Sequence, residues 1–277
     1  MSKQTGARVG VFVDGTNIRL NGGYGMRFDV LREFAARGGA EITRLNTYLA
    51  FDPKRAQEDE TYRRGQDGFT ENLRDFGYKV HQKAVRRYEN EGETVAKVDM
   101  DVDIAVDVLT QTANVDKVLL CTGDGDFAPV VRALQDRGVR VELVAFENVS
   151  GPLRREVDMF VSGYLVPDLL PFRDHPQDAP LWGEEGSRVR GTCYSHTGRG
   201  YGFLRYMKEI SPDLWVTNTR YEDSPYESAF LHDSTLPEGI DSRGLPSRAL
   251  TFEFELSRGE NDGDTFQAKD VTIVAPR

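Results

Sequence analysis

The first part of the chain alternates short apolar runs with segments of helical periodicity. Residues 7 to 14, ARVGVFVD, form a β-branched and aromatic run that predicts a buried strand ending at Asp14. Four later segments predict further strands: EITRLNTYLAF, YKVHQKAV, DKVLLCTG and VRVELVAF. Strands that alternate with helices predict an α/β domain, whose mainly parallel sheet is covered by helices on both faces.

Helical spacing in the intervening segments predicts which faces are buried. In FDVLREFAARGG we expect Phe28, Leu31 and Phe34 to face the core. RAQEDETYRRGQDGFTENLRDFG predicts one continuous helix that stops at Gly77. SGPLRREVDMFVSG predicts a last helix of this domain. For the acidic segment DMDVDIAVDVL the expected buried stripe is Val102, Ala105, Val106 and Leu109.

The composition changes after residue 166. The segment VPDLLPFRDHPQDAPLWGEEGS contains four prolines and follows no regular period, which predicts a linker over residues 167–186 between domains at 1–166 and 187–277. Six short segments follow, each a candidate strand: RVRGTCYS, GYGFLRYM, LWVTNTR, SAFLHDS, LTFEFELSR and FQAKDVTIV. Their length and spacing predict an all-β domain, a small barrel or a sandwich.

Composition and charge narrow the class of protein. No run of eighteen apolar residues occurs and MSKQTGARVG lacks the apolar core of a secretory signal, so we expect no membrane association and a cytoplasmic location. Cys121 and Cys193 lie in separate segments, which argues against a disulfide framework. The net charge of −10 counts against a nucleic-acid binder with a broadly basic face, unless acids are concentrated at a metal site. A homo-oligomer is compatible with the sequence.

Acidic residues follow two predicted strands at their carboxyl ends. Asp14 ends the first strand, and Asp124 and Asp126 follow the fourth. Because loops at this edge of a parallel sheet converge, these acids are expected to meet, and Asp101 at the start of the acidic helix is expected to face them. Clustered carboxylates repel one another unless a cation neutralises them, and oxygen ligands suit Mg²⁺ or Mn²⁺. The implied chemistry is metal-assisted hydrolysis of a phosphodiester.

Each acid also has a structural explanation. Asp14 and Asp124 could be turn residues, and Asp126 could cap the helix that follows it. Two other phosphate chemistries are excluded by the residues themselves. In VFVDGTN, Phe12 occupies the position where aspartate phosphatases have their nucleophilic aspartate. GDGDF lacks the glycine spacing and the lysine of a phosphate-binding P-loop.

Four segments together resemble the NYN domain of the PIN-like ribonuclease superfamily: VGVFVDGTNI, KVDMDVDIAVDVL, CTGDGDFAPVVRAL and GVRVELVAF. The resemblance implies a PIN-like (Rossmannoid) fold and a divalent-metal-dependent ribonuclease. Its metal-binding and catalytic acids fall on Asp14, Asp101, Asp124 and Asp126, with Asn17 as their polar neighbour. Asp107 matches a further recurrent acid, for which we expect a structural role because it lies inside the helix.

RGYGFL and AFLHDS resemble the second- and third-strand motifs of a cold-shock domain, which is an OB-type barrel. The family's first-strand tryptophan is absent, with Tyr194 near its place, and MKEISPDLWVTNTRYEDSPYE is a long insertion. Alternation along a strand puts neighbouring aromatics on one face, where they could stack on bases or form the barrel core. The resemblance implies contacts to single-stranded RNA from Tyr201, Phe203, Phe230 and His232, with Arg199 near the backbone.

Two classes of function follow. The first is a ribonuclease whose β domain delivers single strands to the acidic site, and the second is a catalytically silent RNA-binding or regulatory protein whose acids are structural. The first requires positive charge beside the acids, since these repel phosphate. The candidate basic residues are Arg19, Arg27, Arg63, Arg64, Lys83, Arg86 and Arg87.

Overall fold

A computed structural model describes residues 6–90, 93–173, 176, 178–259 and 262–274. The chain forms two compact units, Met1–Ser162 and Gly163–Arg277. Among the described residues, no helix has both the length and the apolar character needed to cross a membrane.

The first unit is an α/β domain, as predicted. Its elements are β1 Arg8–Asp14, α1 Gly15–Leu20, α2 Phe28–Ala36, β2 Glu41–Phe51, α3 Pro53–Glu58, α4 Glu60–Asp75, β3 Lys79–Ala84, β4 Arg86–Asn90, β5 Glu93–Lys97, α5 Asp101–Gln111, β6 Lys117–Cys121, α6 Ala128–Gln135, β7 Arg140–Ala145, α7 Gly151–Glu156 and β8 Met159–Ser162. Six strands form one sheet in the order β3-β2-β1-β6-β7-β8, and every pair in it is parallel. Strands β1 and β6 are adjacent, so the residues that follow them share one edge of the sheet.

Two helix predictions for this unit are wrong. The expected single helix over residues 55–77 is two helices, because Asp59 leaves helical geometry and its side chain accepts the Tyr62 N–H at 2.9 Å as the cap of α4. The expected last helix stops at Glu156, and β8 follows as the edge strand beside β7. Asp158 holds that junction by accepting the Val141 N–H at 2.7 Å.

The buried face of α5 also differs from the prediction. Ile104 and Val108 are fully buried, whereas Val102 is 69% exposed and Val106 is 53% exposed. Ala105 and Leu109 are partly buried and pack at the margin of the core. Residues four apart share one face of a helix, and the pair that faces the sheet is Ile104 and Val108 instead of the expected Val102 and Val106. The helix is therefore rotated relative to the prediction.

A two-stranded hairpin of β4 and β5 was not predicted. Arg86 pairs with Lys97 and Asn90 with Glu93 in antiparallel register. RRYEN and ETVAK contain few apolar residues, so they give no hydrophobic signal for a strand. The hairpin connects β3 to the start of α5.

The second unit contains a closed five-stranded barrel. Its strands are β9 Arg188–His196, β10 Tyr201–Met207, β11 Tyr226–His232, β12 Ser247–Gly259 and β13 Asp262–Ile273. They follow the order β10-β11-β13-β12-β9, with β11 and β13 parallel and the other pairs antiparallel. This is an OB-like barrel, which confirms the predicted fold class. The predicted strand LWVTNTR is wrong: it lies in an irregular loop, and its alternation arises because Leu214 and Val216 are buried.

The proline-rich segment before the barrel has packed residues of its own. Leu169 and Leu170 are buried. The Trp182 ring stacks on Phe172 at 5.8 Å, and Trp182 Nε1 donates to the Met207 carbonyl at 2.8 Å. These contacts lie within the second unit, and the role of residues 167–186 as an interdomain linker stays a prediction.

Candidate active site and nucleic-acid face

Asp14 lies at the carboxyl end of β1 and is only 5% exposed. Its carboxylate accepts the Asn17 N–H at 2.9 Å, which caps α1. The next residue must be glycine, since a Cβ on Gly15 would lie 2.6 Å from a methyl carbon of Leu49 and 3.0 Å from the Tyr48 carbonyl oxygen. The Asp-Gly pair therefore starts α1 against β2 and holds the carboxylate at the edge of the sheet.

Hydrogen bonds join the loops that follow β1 and β6. Asn17 Oδ1 accepts the Gly123 N–H at 2.8 Å. The Thr122 hydroxyl lies 3.5 Å from Asp14 Oδ2 and accepts the Asp124 N–H at 3.2 Å. Sequence reasoning did not identify Thr122, although its place between the last residue of a buried strand and a Gly-Asp pair is a usable signal. Thr122 and Asn17 thus position Asp14 and Asp124 relative to each other.

The charges of two other acids act on Asp14. Burial and, to a smaller extent, the negative charges of Asp101 and Asp124 raise the pKa of Asp14 from 3.8 to about 6, while hydrogen bonds from Asn17 and Thr122 oppose the shift. Asp101 is the first residue of α5 and is half-buried. Asp101 and Asp124 are therefore near enough to Asp14 for their charges to act on it, and a shared site of these acids stays a prediction.

Asp126 is placed differently from the other acids. It is exposed, within a single 3-10 turn at Gly125–Phe127, and its N–H donates to Asp124 Oδ1 at 2.9 Å. The cap of this turn is therefore Asp124 rather than Asp126. A Cβ on Gly125 would lie 2.6 Å from Ser150 Oγ, so glycine lets the turn pack against the loop after β7.

The chemistry of these side chains suits a hard divalent cation. All donors are oxygen atoms, and among the described residues Asp14 and Asp124 have no basic partner. In the same part of the chain, no group of three or more His, Cys, Asp or Glu side chains is arranged so that it could hold a metal ion. Mg²⁺ keeps several waters and is commonly held by one or two carboxylates together with substrate phosphate. The open edge with Asp14 and Asp124 fits that mode of binding.

Asp107 takes part in a separate network on the other side of α5. The Tyr48 hydroxyl donates to Asp107 Oδ2 at 2.8 Å, and the His81 ring stacks on Tyr48 at 4.5 Å. His81 Nε2 lies 3.7 Å from the same carboxylate, and burial lowers the His81 pKa. Through these contacts Asp107 joins α5 to β2 and β3, which is a structural role.

Most of the basic residues proposed for the rim have acidic partners. Lys83 is 2.5 Å from Asp103, and Arg87 is 2.5 Å from Asp52. Arg27 pairs with Asp29, and Arg63 and Arg64 both pair with Glu60. Arg19 and Arg86 are exposed, and the described residues give neither an acidic partner. Among the candidate rim residues, Arg19 and Arg86 are therefore the ones whose positive charge no described acid neutralises.

Three of the predicted aromatics form a cluster on the outside of the barrel. Tyr201 stacks on Phe230 at 5.7 Å, and Phe203 meets both rings edge-on at 5.9 and 6.4 Å. Phe203 and Phe230 are cross-strand partners, and the alternating positions Leu204 and Ala229 fill the barrel core. The alternative that these aromatics form the core is wrong, because Tyr201 is exposed and the other two are partly exposed.

Polar and charged residues flank the aromatic cluster. His232 is exposed opposite Tyr201, and Arg199 is exposed in the turn between β9 and β10. Sequence reasoning missed Arg205, two positions beyond Phe203 and on the same face. Its guanidinium lies 5.5 Å from the centre of the Tyr194 ring and 5.4 Å from that of Tyr226. The outer face of β10 and β11 thus has an aromatic end and a cationic end.

Comparison with known proteins identifies the family of the first unit. The NYN domain model matches residues 8–169, more than half of the chain. The Low amplitude and bright protein LabA of Synechococcus elongatus is 26% identical over 163 residues, which cover 56% of this chain and 83% of that protein. The crystal structure of a protein of unknown function from Vibrio parahaemolyticus is 27% identical and covers 58% of this chain and 96% of its own, with a TM-score of 0.45. The chain belongs to the NYN domain family.

Proposed function

We propose that this protein is a divalent-metal-dependent ribonuclease that hydrolyses phosphodiester bonds of single-stranded RNA. The observation that supports it is the buried carboxylate of Asp14, whose pKa is raised to about 6 by burial and by the charges of Asp101 and Asp124. This carboxylate accepts hydrogen bonds from Asn17 and Thr122, but it has no basic partner among the described residues and is held near two like charges. Membership of the NYN family, which is nuclease-like, favours RNA as the substrate.

In this proposal the four acids have distinct tasks. Asp14 and Asp124 would hold a divalent cation, Asp101 would add negative charge from the start of α5, and the exposed Asp126 would be available as a further ligand. Mg²⁺ or Mn²⁺, when bound, would supply Lewis acidity and a water of lowered pKa. Asn17 and Thr122 keep the carboxylates of Asp14 and Asp124 in fixed orientations through their hydrogen bonds.

The barrel supplies the affinity for single strands that the acidic edge lacks. Tyr201, Phe203 and Phe230 offer ring faces to bases, and each stacked base contributes about 1 to 3 kcal/mol. Arg199 and His232 lie beside these rings and attract the backbone. Arg19 and Arg86 would do the same at the acidic edge, while Arg87 is held by Asp52.

Manganese titration with labelled single-stranded RNA tests the proposal. We expect cleavage that rises with Mn²⁺ or Mg²⁺ and is lost in Asp124→Asn, since an amide keeps the cap on the Asp126 N–H but removes the charge. Asp136→Asn, an exposed acid at the end of α6, is the matched control and should cleave normally. Cleavage that survives Asp124→Asn would overturn the assignment.

One observation favours a second candidate, a catalytically silent RNA-binding protein. Asp14 and Asp124 both accept backbone hydrogen bonds as caps, so each carboxylate has a structural task without a metal. Under this alternative, Mn²⁺ would not change the thermal stability of the protein, and purified protein would bind RNA without cleaving it. The same titration therefore separates the two functions.

A further inference from the structure

The outer face of β10 and β11 is open at one end and covered at the other. Tyr201, Phe203 and Phe230 form the open end. The opposite end contains Arg205 and Tyr226, and the loop of residues 208–225 lies over it. This loop is the insertion that separates the second and third strands of the barrel.

Hydrogen bonds fasten the loop to the covered end. The Arg205 guanidinium donates to the Thr217 carbonyl at 2.9 Å, and the Tyr226 hydroxyl donates to the Leu214 carbonyl at 3.0 Å. Thr219 Oγ1 and Ser228 Oγ are 2.8 Å apart. Each bond joins the loop to an outward-facing side chain of the sheet, so the loop occupies space that a continuing strand of nucleic acid would need.

Packing within the loop gives it a defined shape. Leu214 and Val216 are buried, and the buried Ser224 hydroxyl donates to the Val216 carbonyl at 2.9 Å. At its base the Lys208 N–H donates to the Pro225 carbonyl at 2.8 Å, so the two ends of the loop are adjacent. A loop with buried apolar residues and closed ends acts as a cover.

The charges of the loop and of the face beneath it are opposite. Residues 208–225 include four acids and two bases. Arg205 beneath them is partly buried and forms no salt bridge with the described residues. The loop as a whole therefore has a net negative charge, whereas the face that it covers contains a cation.

We propose that the 208–225 loop sets the length of single-stranded RNA that the barrel binds, by restricting it to the aromatic end. This inference rests on the proposed RNA-binding function. Three rings accommodate roughly four nucleotides, at the low end of the range for OB folds. Removing the cover would expose Arg205 and Tyr226, which together with the already exposed Tyr194 continue the same path.

The test is the affinity of the full chain for labelled oligouridylates of increasing length. One variant replaces residues 210–223 with a short Gly/Ser linker, which the adjacent ends of the loop allow. We expect wild-type affinity to reach a plateau at roughly four nucleotides and the deletion to gain affinity up to roughly eight, about tenfold for the longest. The salt slope should steepen by about one unit because Arg205 is freed. A plateau unchanged by the deletion, or weaker binding, would overturn the inference.

Two further variants separate steric covering from charge and from misfolding. Neutralising the loop acids as Glu209→Gln, Glu222→Gln and Asp223→Asn should tighten binding at all lengths without moving the plateau. A plateau that moves in this variant would mean that charge, not covering, limits the site. Leu214→Ala with Thr219→Val loosens the cover while keeping its length, and should shift the plateau in the same direction as the deletion.

The outcomes also distinguish this inference from the proposed function. Wild-type binding that is abolished by Tyr201→Ala with Phe203→Ala, together with an unchanged plateau in the deletion, removes only the inference. Absence of binding in both the wild type and the deletion removes the RNA-binding role of the barrel and the inference together.

Discussion

The acidic edge of the α/β unit and the outer face of the barrel are built from opposite physical elements. At the acidic edge, a carboxylate is buried beside two like charges, and its pKa is raised to about 6. On the barrel, the functional candidates are exposed or half-exposed rings that pack on one another. The buried carboxylate destabilises the fold at neutral pH, whereas the exposed rings cost little free energy of folding. This difference fits the proposed function, in which the acidic edge carries out the chemistry and the barrel face binds RNA.

The largest expected effect is on cleavage. Asp124→Asn should lower the rate of metal-dependent RNA cleavage by about 100-fold or more, since the carboxylate that shares the cation is lost. Single-turnover rates at saturating Mn²⁺ measure this. An equal loss in Asp136→Asn would show that the effect is not specific to the edge of the sheet.

The second effect is on affinity. Tyr201→Ala with Phe203→Ala should weaken binding of single-stranded RNA by about 2 to 4 kcal/mol, roughly 30- to 1,000-fold, because two stacking surfaces disappear. Fluorescence anisotropy measures the dissociation constant. Phe76→Ala is the matched control, since Phe76 and Tyr201 are both 37% exposed and Phe76 ends α4 in the other unit. Equal weakening by both changes would break the comparison.

The third effect is on stability and its pH dependence. The folded pKa of Asp14 is raised from 3.8 to about 6, so the folded chain binds this proton more tightly than the unfolded chain. The stability it contributes is complete below pH 3.8 and is lost as the pH rises through 6. Asp14→Asn should therefore be more stable than wild type at pH 7.5 by about 3 kcal/mol, and close to wild type at pH 4. Urea unfolding at both pH values measures the difference, and a variant less stable at pH 7.5 would contradict it.

The smallest effect separates a structural acid from the catalytic ones. Tyr48→Phe removes the hydrogen bond to Asp107 and should lower the free energy of unfolding by about 1 kcal/mol. Tyr48 lies beside Asp14 in the sheet, but its hydroxyl donates to Asp107 and not to Asp14, so cleavage should change less than twofold. Thermal unfolding and the cleavage assay measure the two quantities. A large loss of cleavage with little loss of stability would move Asp107 into the active site.

How far the sequence predicts each region depends on the range of the interactions involved. The five strands named along the chain follow from buried runs, and the expected proximity of Asp14 and Asp124 follows from the geometry of parallel sheets; the order of strands in the sheet was not predicted. The buried face of α5 was mispredicted because the helix contains three valines and one isoleucine, and the sequence alone does not show which of them face the core. Packing on the sheet buries Ile104 and Val108. The hairpin β4–β5 is held by backbone pairing between polar segments, which leaves no periodic signal.

Residues whose role depends on one long-range contact were also not identified from the sequence. Thr122 and its partner Asp14 are 108 residues apart in the chain, so the local pattern can mark Thr122 as a candidate but cannot show which residue it contacts. Arg205 is recognisable only once the register of β10 and β11 places it beside Tyr194 and Tyr226. The loop over this end was mistaken in part for a strand, since its buried residues alternate.

The most direct test of the account measures metal affinity and RNA affinity in the same two variants. Mn²⁺ binding by calorimetry and RNA binding by anisotropy are compared for Asp14→Asn and for Tyr201→Ala with Phe203→Ala. The account predicts a crossover: the aspartate change weakens Mn²⁺ binding and spares RNA affinity, while the aromatic change does the reverse. RNA affinity unchanged by the double aromatic substitution, or Mn²⁺ affinity unchanged by Asp14→Asn, would contradict it.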